Sequence, residues 1–231
     1  MKQLIITGAS AGIGASTAER FLAAGYGVTN LSRRPCPVPG VTHLACDLGR
    51  ADFLAEIGER LQATLESAET VALVHNAARM DHDRAVDLDD AALRAVLEIN
   101  VVAPNALNRF CIPHMRAGSA IVYVGSTLSE KAVPGSFSYV TSKHAMVGMM
   151  RATCQDLVGT GIHTVCICPG FTDTEMLHAH VPAEAMDQVR AMSAFNRLIE
   201  PAEIAEAIYW ATQNPVINGA LIHANLGQIE R

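Results

Sequence analysis

Short apolar runs recur along the chain at Leu4–Thr7, Gly27–Leu31, His43–Cys46, Val71–His75, Ala120–Val124, His163–Cys168 and Ala220–His223. Most are rich in Val, Ile and Leu without polar alternation, as parallel strands covered on both faces require. Stretches with helical spacing lie between them, at Ile13–Ala24, Ala51–Leu65, Ala91–Met115, Tyr139–Leu157 and Ala202–Thr212, the last opened by Pro201. Strands alternating with helices imply right-handed crossovers. The pattern predicts an α/β fold, a doubly wound, Rossmann-type parallel sheet of seven strands with helices on both faces. Its 231 residues suit a single domain over 1–231, with no repeat, low-complexity segment or linker to divide it. The widest irregular stretch, Pro169 to about Pro182, follows a strand end. It reads as the start of a lid over residues 171–195.

Composition narrows the function classes. Half the residues are apolar and 17% are charged, which argues against disorder. A formal net charge of −6 gives no general reason to expect nucleic acid. The run Leu4-Ile5-Ile6 is too short for a secretory leader, and no stretch approaches the roughly 20 apolar residues of a membrane span. A cytoplasmic location away from the membrane is therefore expected. Cys166 and Cys168, two apart in HTVCICP, are expected to face opposite sides of a strand and to be separate core thiols. His178-x-His180 has no cysteine or carboxylate cluster at ligand spacing, so no metal is expected.

Chemistry begins at the first strand, which runs into Thr7-Gly8-Ala9-Ser10-Ala11-Gly12-Ile13-Gly14 and then a helix. Glycines permit a tight turn and let a pyrophosphate approach the backbone, while the helix N-terminus offers free N–H donors. A triphosphate loop would need Lys-Ser/Thr after the last glycine, and here Ala15-Ser16 follows. The second strand ends in Ser32-Arg33-Arg34. An NAD site places a carboxylate at this strand end for the ribose 2′-OH. A hydroxyl and a guanidinium suit a 2′-phosphate instead. The alternative is that both arginines are solvated surface charges.

Tyr139 and Lys143 are four apart and share a helix face. A free phenol ionises near pH 10, and an ammonium one turn away favours its anion, which is what a proton-exchanging group near neutrality needs. Ser126 lies thirteen residues upstream at a strand end, where open α/β sheets bind ligands. Asn100 sits inside a long helical pattern, where asparagine has no propensity reason to be.

Taken together, these motifs resemble the short-chain dehydrogenase/reductase family, in its single-domain Tyr-x-x-x-Lys branch with a G-x-x-x-G-x-G turn. The resemblance runs over nearly the whole chain. It implies a catalytic set of Asn100, Ser126, Tyr139 and Lys143, with Asn100 anchoring a relay water. It also implies that Gly8, Ser10, Gly12, Ile13 and Gly14 hold the pyrophosphate, and that Ser32, Arg33 and Arg34 meet the adenosine ribose. Asp47-Leu48 would lie at the adenine. Asn76-Ala77 would sit beside the cofactor, with Ala78 where the family usually has glycine. Pro169-Gly170 would pass beneath the nicotinamide, and Thr172 and Thr174 would hold its carboxamide. The implied cofactor is NADP(H), with NAD(H) as the alternative, and the implied substrate is a small carbonyl or alcohol. A homodimer or homotetramer joined through the helices of Asn100 and Tyr139 is expected. A dinucleotide-sensing protein without turnover is the rival, and it would have no use for Tyr139. Met176, Leu177, Met186 and Met192 in the lid hint at a partly apolar pocket.

Overall fold

A computed structural model describes residues 1–228. The chain runs β1 (Gln3–Thr7), α1 (Gly12–Ala23), β2 (Gly27–Ser32), β3 (Thr42–Ala45), α2 (Phe53–Glu66) and β4 (Val71–His75). Then come α3 (Asp90–Leu97), α4 (Ala103–Cys111), β5 (Ala120–Val124), α5 (Phe137–Asp156) and β6 (His163–Pro169). Two short helices, α6 (Glu175–His180) and α7 (Met186–Ala191), precede α8 (Pro201–Gln213) and β7 (Ala220–Ala224). The seven strands form one sheet in the order β3-β2-β1-β4-β5-β6-β7, and every neighbouring pair is parallel.

Both faces of the sheet are covered, which explains the strands' unbroken apolar character. On one side Ile5, Leu73, Ile121 and Cys166 pack against Leu61 of α2, Leu107 of α4 and Met150 of α5. On the other, Leu4, Val74, Val122 and Ile167 pack against Phe21 of α1 and Ile208 of α8. Each fully buried aliphatic side chain contributes roughly 1.5–3 kcal/mol, so the alternate faces of each strand hold the two helical layers together. The strand order reverses between β1 and β4, the kind of switch point outside whose strand carboxyl ends open α/β sheets bind ligands.

Three expectations need correction. The helix expected over Ala91–Met115 is broken. α3 passes into a wide π-type turn, Glu98–Val102, before α4, and a 3₁₀ turn at Ile112–His114 ends the segment. Pro104 has no N–H to give the Asn100 carbonyl one α-turn back, so the regular ladder fails there. The stretch after Pro169 is not wholly irregular, because α6 lies within it. Cys166 and Cys168 share one face. Strand side chains alternate, so residues two apart point the same way, and the two sulfurs lie 3.7 Å apart as free thiols.

Candidate active site

The glycine turn is built by polar groups at the ends of β1 and β4. Thr7 Oγ1 accepts from the backbone N–H groups of Asn76 (3.0 Å) and Ala77 (2.9 Å). The Asn76 amide donates to the carbonyls of Thr7 (3.0 Å) and Gly8 (3.1 Å). The turn passes close over β4, and Gly8 adopts φ +72°. A Cβ on Gly14 would lie 2.6 Å from Asn76 Nδ2, 2.8 Å from the Ala9 Cα and closer still to the Gly8 carbonyl. Only glycine fits.

α1 begins at Gly12 without a side-chain cap and without an acidic residue in its first turn. Its first N–H groups and the positive end of its dipole are therefore open to an anion. A crevice of about 610 Å³ borders this end, lined by Ser10, Gly12, Ser16, Pro37 and Thr174 among others. Close backbone approach and free donors together fit a dinucleotide pyrophosphate.

At the end of β2, Ser32 is buried, and its hydroxyl accepts from Asn30 Nδ2 (2.8 Å) and donates to the Arg34 carbonyl (2.5 Å). Arg33 and Arg34 are exposed, and Arg34 reaches Glu175 of α6 at 3.4 Å. Asp47 Oδ1 accepts from the Gly49 N–H (3.0 Å), and Leu48 is buried beside it.

The catalytic candidates gather around β5 and α5. Lys143 is buried, with Nζ donating to the Val124 carbonyl (2.7 Å) and lying 5.4 Å from the centre of the Tyr139 ring. Among the described residues, Val124 O is the single acceptor of that ammonium, which leaves N–H bonds to give. Tyr139 is 7% exposed. Ser126 lies two residues past β5 and caps a 3₁₀ turn, its Oγ accepting from the Leu128 N–H (3.1 Å). Asn100 is fully buried in the π-type turn. Its amide oxygen accepts from the Arg79 N–H (2.7 Å), and its Nδ2 donates to the Arg79 carbonyl (2.8 Å) and to Ser142 Oγ (2.9 Å). Ser142 passes the link on to the Tyr139 carbonyl (2.7 Å). Asn100 thereby ties the loop after β4 to the Tyr139 helix.

Past β6, Gly170 pairs with Ala224 of β7 (3.1 Å). Thr172 is buried, and its hydroxyl donates to the Gly170 carbonyl (3.1 Å). Thr174 caps α6 by accepting from the Leu177 N–H (3.3 Å). His178 pairs with Asp173 (2.6 Å), and His180 Nε2 donates to the Met80 carbonyl (3.0 Å), joining α6 to the loop after β4.

Several supports escaped the sequence reading. Asp83 receives both the N–H (2.9 Å) and the hydroxyl of Ser138, bracing the first turn of α5 beside Tyr139. Thr7 and Asn30 brace the glycine turn. A polar residue inside an otherwise apolar strand was the available signal for both. Beneath Ser126, Gly125 leaves room for the two thiols, and their mutual hydrogen bond and burial push the Cys166 thiol up.

His75, at the end of β4, donates through Nε2 to Asn108 Oδ1 (2.8 Å), and Asn108 Nδ2 donates to the Tyr123 hydroxyl (2.7 Å). Burial pushes the imidazole down to about 4, whereas an unfolded histidine titrates near 6.5. Between those values the unfolded chain binds the extra proton, so stability falls as pH drops from about 6.5 to about 4, by roughly 3 kcal/mol. Urea unfolding across that window is expected to show the loss. His75→Asn is expected to flatten it, and an unchanged slope would refute the assignment.

The comparisons with known proteins agree with this architecture. Residues 2–185 match the short chain dehydrogenase family. The chain belongs to the short-chain dehydrogenase/reductase family. As an oxidoreductase of that family it is similar to the protein FixR of Bradyrhizobium diazoefficiens, at 31% identity over 98% of this chain and 86% of that protein. It is also similar to a 2-(R)-hydroxypropyl-CoM dehydrogenase of Xanthobacter autotrophicus, at 30% identity over 94% of each chain. A crystal structure of a short chain dehydrogenase family protein from Francisella tularensis superposes with a TM-score of 0.88 and 25% identity, covering 98% of both chains. Among the described residues, no helix of this short-chain dehydrogenase is long and apolar enough to cross a membrane.

Proposed function

We propose that this short-chain dehydrogenase uses NADP(H) to interconvert a carbonyl and a secondary alcohol, with Asn100, Ser126, Tyr139 and Lys143 as its working residues. The observation that carries the reading is the buried Lys143 ammonium beside the Tyr139 ring at the end of β5. The similarity to a hydroxypropyl-CoM dehydrogenase supports an alcohol-bearing substrate. The bound nicotinamide supplies or accepts the hydride. The glycine turn and the open α1 N-terminus hold the pyrophosphate, and Asp47, Leu48, Asn76 and Ala77 flank the adenosine half. Pro169, Gly170, Thr172 and Thr174 line the nicotinamide end.

Ser126 holds the substrate oxygen by hydrogen bonding, and the Tyr139 hydroxyl gives that oxygen its proton in reduction and takes it back in oxidation. Lys143 grips the nicotinamide ribose and places positive charge beside the phenol. Asn100 holds the loop after β4 against α5, and its carbonyl, left without an α-helical partner by Pro104, is the anchor for a relay water. The working unit is a single domain over 1–231 in a cytoplasmic homodimer or homotetramer, and residues 171–195 act as the lid.

NADP(H) is favoured because no carboxylate ends β2, and Arg33 is exposed beside the ribose position. Fluorescence titration is expected to give NADPH at least about tenfold tighter binding than NADH. Arg33→Ala is expected to weaken NADPH by about tenfold and NADH by less than about twofold, as loss of a charge-assisted contact predicts. Equal affinities in the wild type would defeat the NADP(H) assignment, and tighter binding of NADH would transfer it to NAD(H). Absence of basic side chains from Ser10-Ala11 and the Arg34–Glu175 pair are the features that favour that second reading.

A further inference from the structure

An asparagine in the middle of an interior parallel strand is costly, because its amide leaves water and must recover every hydrogen bond. Asn30 occupies such a place in β2 and is fully buried. Its Oδ1 accepts from the Ala9 N–H (3.0 Å), inside the glycine turn. Its Nδ2 donates to Ser32 Oγ (2.8 Å) and to the Arg34 carbonyl (3.3 Å), and His43 Nδ1 stands 3.5 Å away. One side chain thus joins the two segments that grip opposite ends of the cofactor's adenosine diphosphate half.

The bonds also decide what Ser32 can do. Its hydroxyl has one proton, and that proton goes to the Arg34 carbonyl while the oxygen accepts from Asn30. A hydroxyl engaged in this way bends the backbone of residues 32–34 and has no proton left for a phosphate. Arg33 is then the group free to read a 2′-phosphate, in a direction set by that bend.

We infer that Asn30 is a specificity-determining positioning residue: acting through Ser32, it fixes the Ser32–Arg34 segment against the glycine turn so that Arg33 meets the 2′-phosphate. The inference rests on the NADP(H) reading. It changes the role of Ser32 from a phosphate ligand to a link between Asn30 and the arginine backbone.

The test is a double-mutant cycle on selectivity, defined as the ratio of NADH to NADPH dissociation constants measured by nucleotide fluorescence. Asn30→Ala and Ser32→Ala are each expected to lower that ratio by about tenfold, and the double variant by no more than about twofold beyond either, because coupled residues do not add. A multiplicative loss in the double variant overturns the inference, since Ser32 would then meet the phosphate independently. A wild-type ratio retained in Asn30→Ala overturns it as well. Asn30→Leu keeps the shape of the side chain without the amide, and covers the case in which the alanine variant does not fold. Should neither Asn30 variant fold, a cycle of Ser32→Ala with Arg33→Ala decides. Non-additivity supports positioning through Arg33, and additivity refutes it. A wild-type ratio near one sinks the NADP(H) reading, an outcome separate from all of these.

Discussion

Tyr139→Phe is expected to lower turnover on the order of a thousandfold while dinucleotide binding stays within about twofold, since acid–base groups contribute roughly 10²–10⁴. The substitution removes one oxygen and keeps the ring, which is 7% exposed and packs 5.4 Å from the Lys143 ammonium. Nothing that supports α5 is lost, because Asp83, Ser138, Asn100 and Ser142 hold it through other atoms. The phenol is the only part of the side chain that can exchange a proton with the substrate oxygen. Steady-state absorbance at 340 nm with a panel of ketones and alcohols reads the first quantity, and nucleotide fluorescence reads the second. Turnover within tenfold of wild type would remove Tyr139 from the chemistry, whereas a wild type that binds dinucleotide but turns over none of the panel would return the protein to the sensing class.

The opposite pattern is expected of Gly14→Ala, where binding is lost ahead of chemistry. Its new Cβ would sit 2.6 Å from Asn76 Nδ2 and 2.8 Å from the Ala9 Cα, and both belong to the framework of the turn. Backbone on one side and a doubly bonded amide on the other leave little freedom to give way. Overpacking of this kind costs about 1–3 kcal/mol. Spent on the geometry of the pyrophosphate cradle, that cost is about 10–100-fold in affinity. NADPH and NADH should weaken alike, which separates this variant from changes at Arg33 or Asn30. Wild-type affinity for both dinucleotides would show that the turn does not carry the cofactor.

These two positions were legible in the chain because their signals are local. Gly8, Gly12 and Gly14 follow an apolar strand and open a helix within a few residues, and Tyr139 and Lys143 are one helical turn apart. The seven strands were equally readable, since burial on both faces leaves unbroken apolar runs. The Asn30–Ala9 bond spans 21 residues, Asp83–Ser138 spans 55, and Thr7–Asn76 spans 69. Propensity and periodicity carry no information over such separations. The break at Glu98–Val102 was legible in principle through Pro104, yet the apolar pattern runs through it without a gap. Cys166 and Cys168 were misread for a different reason. The strand was identified, and its alternation, properly applied, puts them together.

Sequence alone determined the layered α/β architecture, the glycine turn, and the spacing that sets a phenol and an ammonium on one helix face. All of these follow from hydrophobic period and short-range sterics. Tertiary structure alone decided which polar side chains act as braces: Asn76 and Thr7 under the turn, Asn100 against α5, and Asn30 between Ala9 and Ser32. A buried polar group must find its partners wherever the packed sheet brings them, and that is fixed only when distant segments meet.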